Sequence, residues 1–493
     1  MLTLILKIKI RDPLRIITLI YYFIFIFLHY LVIGKILPKI ESDLSIHLKH
    51  TETLISSQPL YKAYPYIGFH IVLSTLYILF ERTTVYQIAG LLVFVNLLLI
   101  LTFYNLMKNL FSSAIPAFFA TLLILSGNLV WIRLIPCIHI KISGDASKCF
   151  YPFECLLFNS RYNISNYLVL QIYPFTLSFT LICLLLSLIV SIKEGRKASI
   201  TNQLLVFLLT LLIYLIHPLY ATLLPHMLGF TVFILYYTRR EKDFSSEYFN
   251  IPLYTFYGAG FIPTLIAYLV DNVSQVYRFQ VSMFSISNAI MCLGVLFFLK
   301  KLDLIVEGVQ RFSIHHLNFF KYLLSILLFT WVYGLYLLYF TNDFDAWQLT
   351  SQSTPIWLYP TIIGVGPLLI VSTSAFVRDP SLRGLSLFLL SFPFLFIIVA
   401  PLIDYINFYL FGFYIEGSLL YSGVTSGRML SLANLLYSAT GGIAMGYAVK
   451  RNTNNRYVIR ASIILPIIFT IPNLLVSLRY WSVNYDLSTV TLR

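Results

Sequence analysis

The chain has 493 residues, of which 59% are hydrophobic, 17% aromatic and only 11% charged. A soluble domain carries about a quarter charged residues, so this composition excludes an ordinary soluble globular protein. The formal net charge of +14 sits in short basic clusters between apolar runs, a membrane-setting pattern rather than a nucleic-acid surface.

In chain order, Lys7, Lys9, Arg11 and Arg15 precede the first apolar run, 14–37, and predict a cytoplasmic N-terminus. That run is too long and too aromatic for a cleaved signal peptide and has no small-residue cleavage site, so it reads as a retained first span. A polar outer loop, 38–65, follows. The next apolar stretch, 66–82, is short and ends in Glu81-Arg82, which predicts a helix lying in the outer interface.

Further spans are expected at 84–106, 113–134, 165–192, 201–216, 218–238, 250–270, 281–300, 318–340, 356–377, 383–404, 428–449 and 457–478. Runs of about 20 apolar residues suit a hydrocarbon core of about 30 Å, and such spans must be helical because lipid offers the backbone no partners. The fold class is an all-α polytopic membrane protein with about thirteen crossings, between twelve and fourteen, in one multi-span domain covering 1–493. With this count Lys193/Arg196/Lys197, Arg239/Arg240/Lys242, Lys300/Lys301, Arg378/Arg383 and Lys450/Arg451/Arg456 all fall inside. Counting 66–82 as a crossing would put every later cluster outside.

The remaining outer segments are then 135–164, 271–280, 341–355, 405–427 and the C-terminal tail. The 405–427 stretch is aromatic, apolar and broken by Gly, so it dips into the membrane or lines a groove. Of the five Cys, Cys137, Cys149 and Cys155 share the 135–164 loop, where one disulfide is expected. Two sequons, Asn163-Ile-Ser165 and Asn272-Val-Ser274, also fall outside.

The densest polar segment is ESDLSIHLKHTETLISSQPLYKAYPYIGFH, 41–70, directly behind the first span. It carries Glu41 and Asp43, then Thr51-Glu52, Gln58-Pro59-Leu60-Tyr61, Tyr64-Pro65 and Gly68-Phe69-His70. Later in the chain come His217-Pro218-Leu-Tyr220 opening a span, Tyr173-Pro174 within an earlier one, and Ser426-Gly427-Arg428 opening a late one. This order of elements resembles the GT-C glycosyltransferases, multi-span enzymes that use polyprenyl-phosphate-linked sugars. The resemblance implies a GT-C-like fold, with a first-loop acid at the active site acting as base or orienting a metal and the sugar phosphate. Here that acid is Asp43, with Glu41 two residues before it. Glu-Ser-Asp departs from the family's adjacent acids or Asp-x-Asp, so the need for a divalent metal stays open and no metal ligand is assigned.

Transfer to a hydroxyl needs a base near the acceptor and positive charge or donors over the departing phosphate. Asp43 suits the first task. Arg428 suits the second, since a planar guanidinium grips phosphate with two donors; Arg82, Arg133 and Arg161 are rivals. His217, His70 and Glu52 complete the candidate substrate-binding set. Each has a plainer reading: a solvated loop acid for Asp43, an ion-pair partner of Lys49, His47 or His50 for Glu52, a loop hydrogen bond for His217, and headgroup anchoring for Arg428. His47 and His50 share a helix face at i, i+3, a spacing that also suits a metal. His226 reads as a buried packing partner.

The expected partners are therefore the bilayer and a polyprenyl-phosphate-linked sugar, with the active side extracytoplasmic in the cell membrane. A non-catalytic polytopic subunit of a larger membrane complex is the alternative. A transporter fits less well, because the spans carry almost no mid-membrane charge.

Overall fold

A computed structural model describes residues 12–33, 47, 50–52, 55, 66–80, 85–126, 174–193, 200–239, 246–315, 318–340, 359, 363–377, 379–406, 426–451, 460 and 464. Among these the regular structure is helical, without strands. The helices are α1 (Pro13–Ile33), α2 (Ile67–Phe80), α3 (Val85–Phe111), α4 (Ala114–Ser126), α5 (Pro174–Lys193), α6 (Ile200–Ile216), the single turn α7 (Pro218–Ala221) and α8 (Leu223–Arg239). Then follow α9 (Asn250–Ala259), α10 (Ile262–Leu269), α11 (Gln275–Lys300), α12 (Leu302–His315), α13 (Phe319–Phe340), α14 (Gly366–Phe376), α15 (Pro380–Ile406) and α16 (Ser426–Arg451). Four described helices are long and apolar enough to cross a membrane, or up to five if the bent pair α12–α13 counts as one span. Several shorter apolar helices accompany them.

The core is built around α16, which packs against α4, α14 and α15 and is buried along most of its length. Glycine makes this packing close. A Cβ at Gly442 would lie 2.5 Å from the Cα of Ala120, one at Gly446 2.4 Å from the Cα of Pro116, and one at Gly366 2.1 Å from the carbonyl oxygen of Tyr437. No side chain fits in those gaps, so the backbones themselves are in contact. A second layer follows: α3 lies on α5, α5 on α6, and α11 covers α8, α9 and α10.

One expected span is interrupted, and neighbours bond across the break. The expected single span 250–270 is split at Gly260-Phe261, because Pro263 has no N–H and crowds the turn before it. From α11, the Asn288 amide donates to Phe256 O (3.1 Å) and the Ser285 hydroxyl to Gly260 O (2.7 Å). The Tyr214 hydroxyl of α6 donates to Asn288 Oδ1 at 2.5 Å. In α15, which runs past Pro393, Tyr437 donates to Leu390 O (2.8 Å) while His226 Nε2 meets Phe392 O (3.0 Å). Such side-chain bonds to carbonyls tie neighbouring helices together where apolar surroundings offer no other partner. His226 also stacks on Phe392 at 4.1 Å, a packing role as expected from its sequence position.

A helix not foreseen in the sequence, α12, runs at 85° to α13. Its Leu302, Val306 and Ser313 are buried, while Asp303, Glu307 and Arg311 are exposed. The amphipathic spacing was present but too polar to register as a span. The expected 271–280 loop is also shorter than foreseen. Asn272 takes the left-handed turn (φ 60°), and Ser274 caps α11 by accepting from Tyr277 N at 3.2 Å. Asn163, the 135–164 loop with its three Cys, 407–425 and the 457–478 span (save 460 and 464) lie outside the described residues.

Basic groups gather at one end of the bundle. Lys450 donates to Phe111 O (3.1 Å), Arg451 faces Asp379 (3.9 Å), and Thr238 bonds Leu110 O (3.3 Å). Asp12, buried at the start of α1, accepts from Lys108 (2.5 Å) and Tyr104 (3.1 Å). Burial works to raise the Asp12 carboxyl, but the Lys108 bond and charge, with the Arg15 N–H and Tyr104 hydroxyl, hold it below its ordinary value.

Three outcomes follow from these contacts. Gly442→Ala drives its methyl into Ala120 and lowers the thermal unfolding temperature of detergent-solubilised protein, at a cost of about 1–3 kcal/mol or more. Gly308→Ala, in α12 with nothing within 4 Å, is neutral or mildly stabilising in the same assay. Asp12→Asn lowers stability near neutral pH. Because the native pKa is lowered, that loss is full above the ordinary aspartate value of 3.8 and fades as pH falls through the native one, which pH-resolved melting reads out.

Candidate functional site

At the opposite end of α8, about 26 Å from the basic cluster at 1.5 Å per residue, two prolines each start a helical element and an aromatic follows. These are Pro174-Phe175 in α5 and Pro218-Leu-Tyr220 in α7, and Tyr66 stands just ahead of α2. Gly68 allows α2 to touch the end of α6, since a Cβ there would lie 2.8 Å from the carbonyl carbon of Leu215. Phe69 and Leu73 then pack on Ile216, with Leu177 and Leu212 beside them. Proline sets where α5 and α7 begin, and glycine sets how near α2 comes.

The result is an unbroken run of rings. His50 lies 5.5 Å from His70, His70 5.0 Å from His47, His47 5.3 Å from Tyr66, and Tyr66 5.0 Å from His217. His217 continues to Tyr220 at 4.3 Å and Tyr220 to Phe175 at 4.2 Å. His47, His70, His217 and Tyr220 are all buried. The Tyr220 N–H donates to His217 Nδ1 (3.4 Å), which places the proton of a neutral His217 on Nε2.

The closest polar contact in the run joins His47 Nδ1 to His70 Nε2 at 2.8 Å. Two nitrogens that share one tetrahedral zinc sit roughly 3.3 Å apart, so this is a hydrogen bond between imidazoles rather than a paired ligand set. Among the described residues no group of three or more His, Cys, Asp or Glu is placed to hold a metal ion. Burial, with the charges of protonated His70 and His50 adding to it, pushes the His47 imidazole down to about 3. His47 is neutral at physiological pH.

Of the candidates from sequence, His70 and His217 are brought together in this cluster. Glu52 is exposed on the helical segment that carries His47, one residue after Thr51, whose hydroxyl bonds His47 O at 2.8 Å. Arg428 stands in the first turn of α16. Asp43 and Glu41, like Arg82, Arg133 and Arg161, lie outside the described residues. The sequence reading did not foresee Tyr66 and Phe175 as members of the site, nor His47 as the partner of His70. Both aromatics directly follow prolines that had been singled out, and that adjacency was the available signal.

Comparison with models of known protein families, with characterised proteins and with solved structures finds no match in any of the three.

Chemically, the cluster offers ring faces and imidazole nitrogens in an apolar wall, suited to orienting a ligand more than to neutralising a charge. Tyr220→Ala opens a gap between His217 and Phe175 and destabilises by about 3 kcal/mol, the size typical of a lost buried aromatic, as measured by thermal unfolding. Tyr220→Phe keeps the ring contacts and most of the stability.

Proposed function

We propose that the chain is a GT-C-type glycosyltransferase moving a sugar from a polyprenyl-phosphate donor to an acceptor hydroxyl on the extracytoplasmic side of the cell membrane. The observation that carries this reading is the convergence of three separate sequence pieces. Gly68-Phe69-His70, Pro174-Phe175 and His217-Pro218-Leu-Tyr220, apart in the chain, meet at one end of the bundle. The gathering of Lys108, Lys450 and Arg451 at the other end supports a cytoplasmic placement there, with thirteen crossings and the N-terminus inside.

In this reading the acceptor oxygen attacks the anomeric carbon as the bond from that carbon to the phosphate oxygen breaks. The acceptor proton passes to Asp43, with Glu41 as its neighbour, and the polyprenyl phosphate leaves with both bonding electrons. Arg428 balances charge on the departing phosphate. His70 and His217, backed by the ring run, orient the sugar, and Glu52 stands at the rim. A divalent metal would act on the phosphate as a Lewis acid.

A second reading, a non-catalytic subunit of a larger membrane complex, is favoured by one observation. The described members of the ring cluster include neither an acid nor a cation, and they are packed closely. Transport is less well supported, because the broken α9–α10 element is closed by its own hydrogen bonds from Asn288 and Ser285.

The test is binding and turnover on purified protein. Asp43→Asn is expected to cut sugar transfer by about 10²–10⁴-fold while leaving polyprenyl-phosphate binding intact. Arg428→Ala is expected to weaken that binding, followed by mass spectrometry of copurifying lipid. Full transfer by Asp43→Asn removes the base assignment. Absence of lipid binding in every version favours the subunit reading.

A further inference from the structure

Near the start of α15 lies a buried cation whose charge the described residues do not balance. Arg383 is only 7% exposed. Its Nε donates to Ser374 O in the last turn of α14, at 3.4 Å, and among the described residues its guanidinium meets no other acceptor. The acids described at this end are engaged elsewhere. Asp379, one turn back, accepts from Ser381 N (2.8 Å) and Oγ (2.7 Å) and turns its other oxygen to Arg451. Glu307 pairs with Arg311 (2.7 Å), Asp303 with Tyr236, and Asp12 with Lys108. A guanidinium is a planar fork of N–H donors, and burying it without acceptors is costly.

Helices α12, α13 and α14 surround this corner. The Ser374 hydroxyl bonds that of Ser386 (2.5 Å), which holds α14 on α15 one turn beyond Arg383. Phe320, at the start of α13, packs with Val371 and Ala375 of α14, and Leu387 of α15 lies against them. Next to Arg383, a Cβ at Gly384 would stand 3.4 Å from Val309 of α12. The elbow of α12 and α13, bent by 85°, therefore closes around Arg383. Exposed beside the corner are Lys321 in the first turn of α13, Tyr322 after it, and Phe376, the last residue of α14.

We propose that Arg383 holds the phosphate of an anionic phospholipid headgroup that enters between α13 and α14. Lys321 is the second cation, and the acyl chains run along Tyr322 and Phe376. A tetrahedral phosphate accepts two parallel N–H bonds from the guanidinium and still presents an oxygen to an ammonium group. Two observations favour a lipid over a free ion. The surface beside the opening is aromatic, and the corner lies where the charged helix α12 meets the apolar helix α13, which is headgroup depth. The site is at the end of the bundle opposite the histidine and tyrosine rings and does not rest on sugar transfer.

Native mass spectrometry of the full-length protein, delipidated in detergent, tests it with dioleoyl phosphatidylglycerol as probe. Wild type is expected to bind this lipid at least about tenfold more tightly than dioleoyl phosphatidylcholine, whose phosphate is balanced by its own ammonium group. Arg383→Gln keeps a donor for Ser374 O but loses the charge, and is expected to bind at least about tenfold more weakly than wild type. Arg383→Lys keeps the charge without the fork, is expected to lose at least about threefold, and carries the test if the glutamine variant does not fold. Arg311→Gln removes an exposed cation from the same end and is expected to stay within about twofold of wild type. Wild-type affinity in either Arg383 variant overturns the site. So does a loss in Arg311→Gln as large as that in Arg383→Gln, since attraction at a distance would then suffice. Equal binding of the two lipids overturns the preference for an anionic headgroup, and displacement of phosphatidylglycerol by an equal concentration of inorganic phosphate overturns the lipid as its source.

Discussion

A Cβ at Gly446 would stand 2.4 Å from Pro116, and one at Gly441 2.9 Å from the Cα of Gly366. Backbone against backbone, these approaches weld α16 to α4 and α14 without any long side chain between them. Lipid supplies no hydrophobic pressure to drive helices together, so close contact and van der Waals attraction have to hold such a bundle. The rest is arranged around that choice. With α16 seated, α15 can lie along it and present the carbonyls of Leu390 and Phe392 to Tyr437 and His226. Arg428 stands in the first turn of the same helix.

The two ends of the bundle then use opposite chemistry. One is tied by charge-assisted bonds such as Asp12 with Lys108, and by Lys450 on the last carbonyl of α3. The other is tied by rings, from His50 through His70, His47, Tyr66 and His217 to Tyr220 and Phe175. Rings in an apolar wall lose little on desolvation, whereas ion pairs lose much.

Much of this was legible in the sequence, and for identifiable reasons. Apolar runs marked most helices because lipid-facing segments must be apolar throughout. His217-Pro218 marked a break because proline removes a donor. Two features were less legible. α12 reads as a polar linker, since its buried stripe of Leu302, Val306 and Ser313 is thin and its other face is charged. The pairing of His47 with His70 spans 23 positions and depends on Gly68 bringing α2 against α6. A spacing of three residues pointed His47 toward His50, whereas the fold pointed it toward α2. Local periodicity sees neighbours on one helix and is blind to the end of another.

The elbow between α12 and α13 has a consequence for how the molecule sits in a bilayer. α13 runs along the bundle with Tyr322, Phe329 and Val332 exposed, while α12 turns off it at 85° and keeps Asp303, Glu307 and Arg311 uncovered. α12 cannot sink into hydrocarbon without drowning its charges, and α13 cannot rise out of it without wetting its aromatics. Joined at a right angle, the two act as a flange and a shaft. In a bilayer such a pair favours a single depth, with α12 at the rim and α13 in the hydrocarbon.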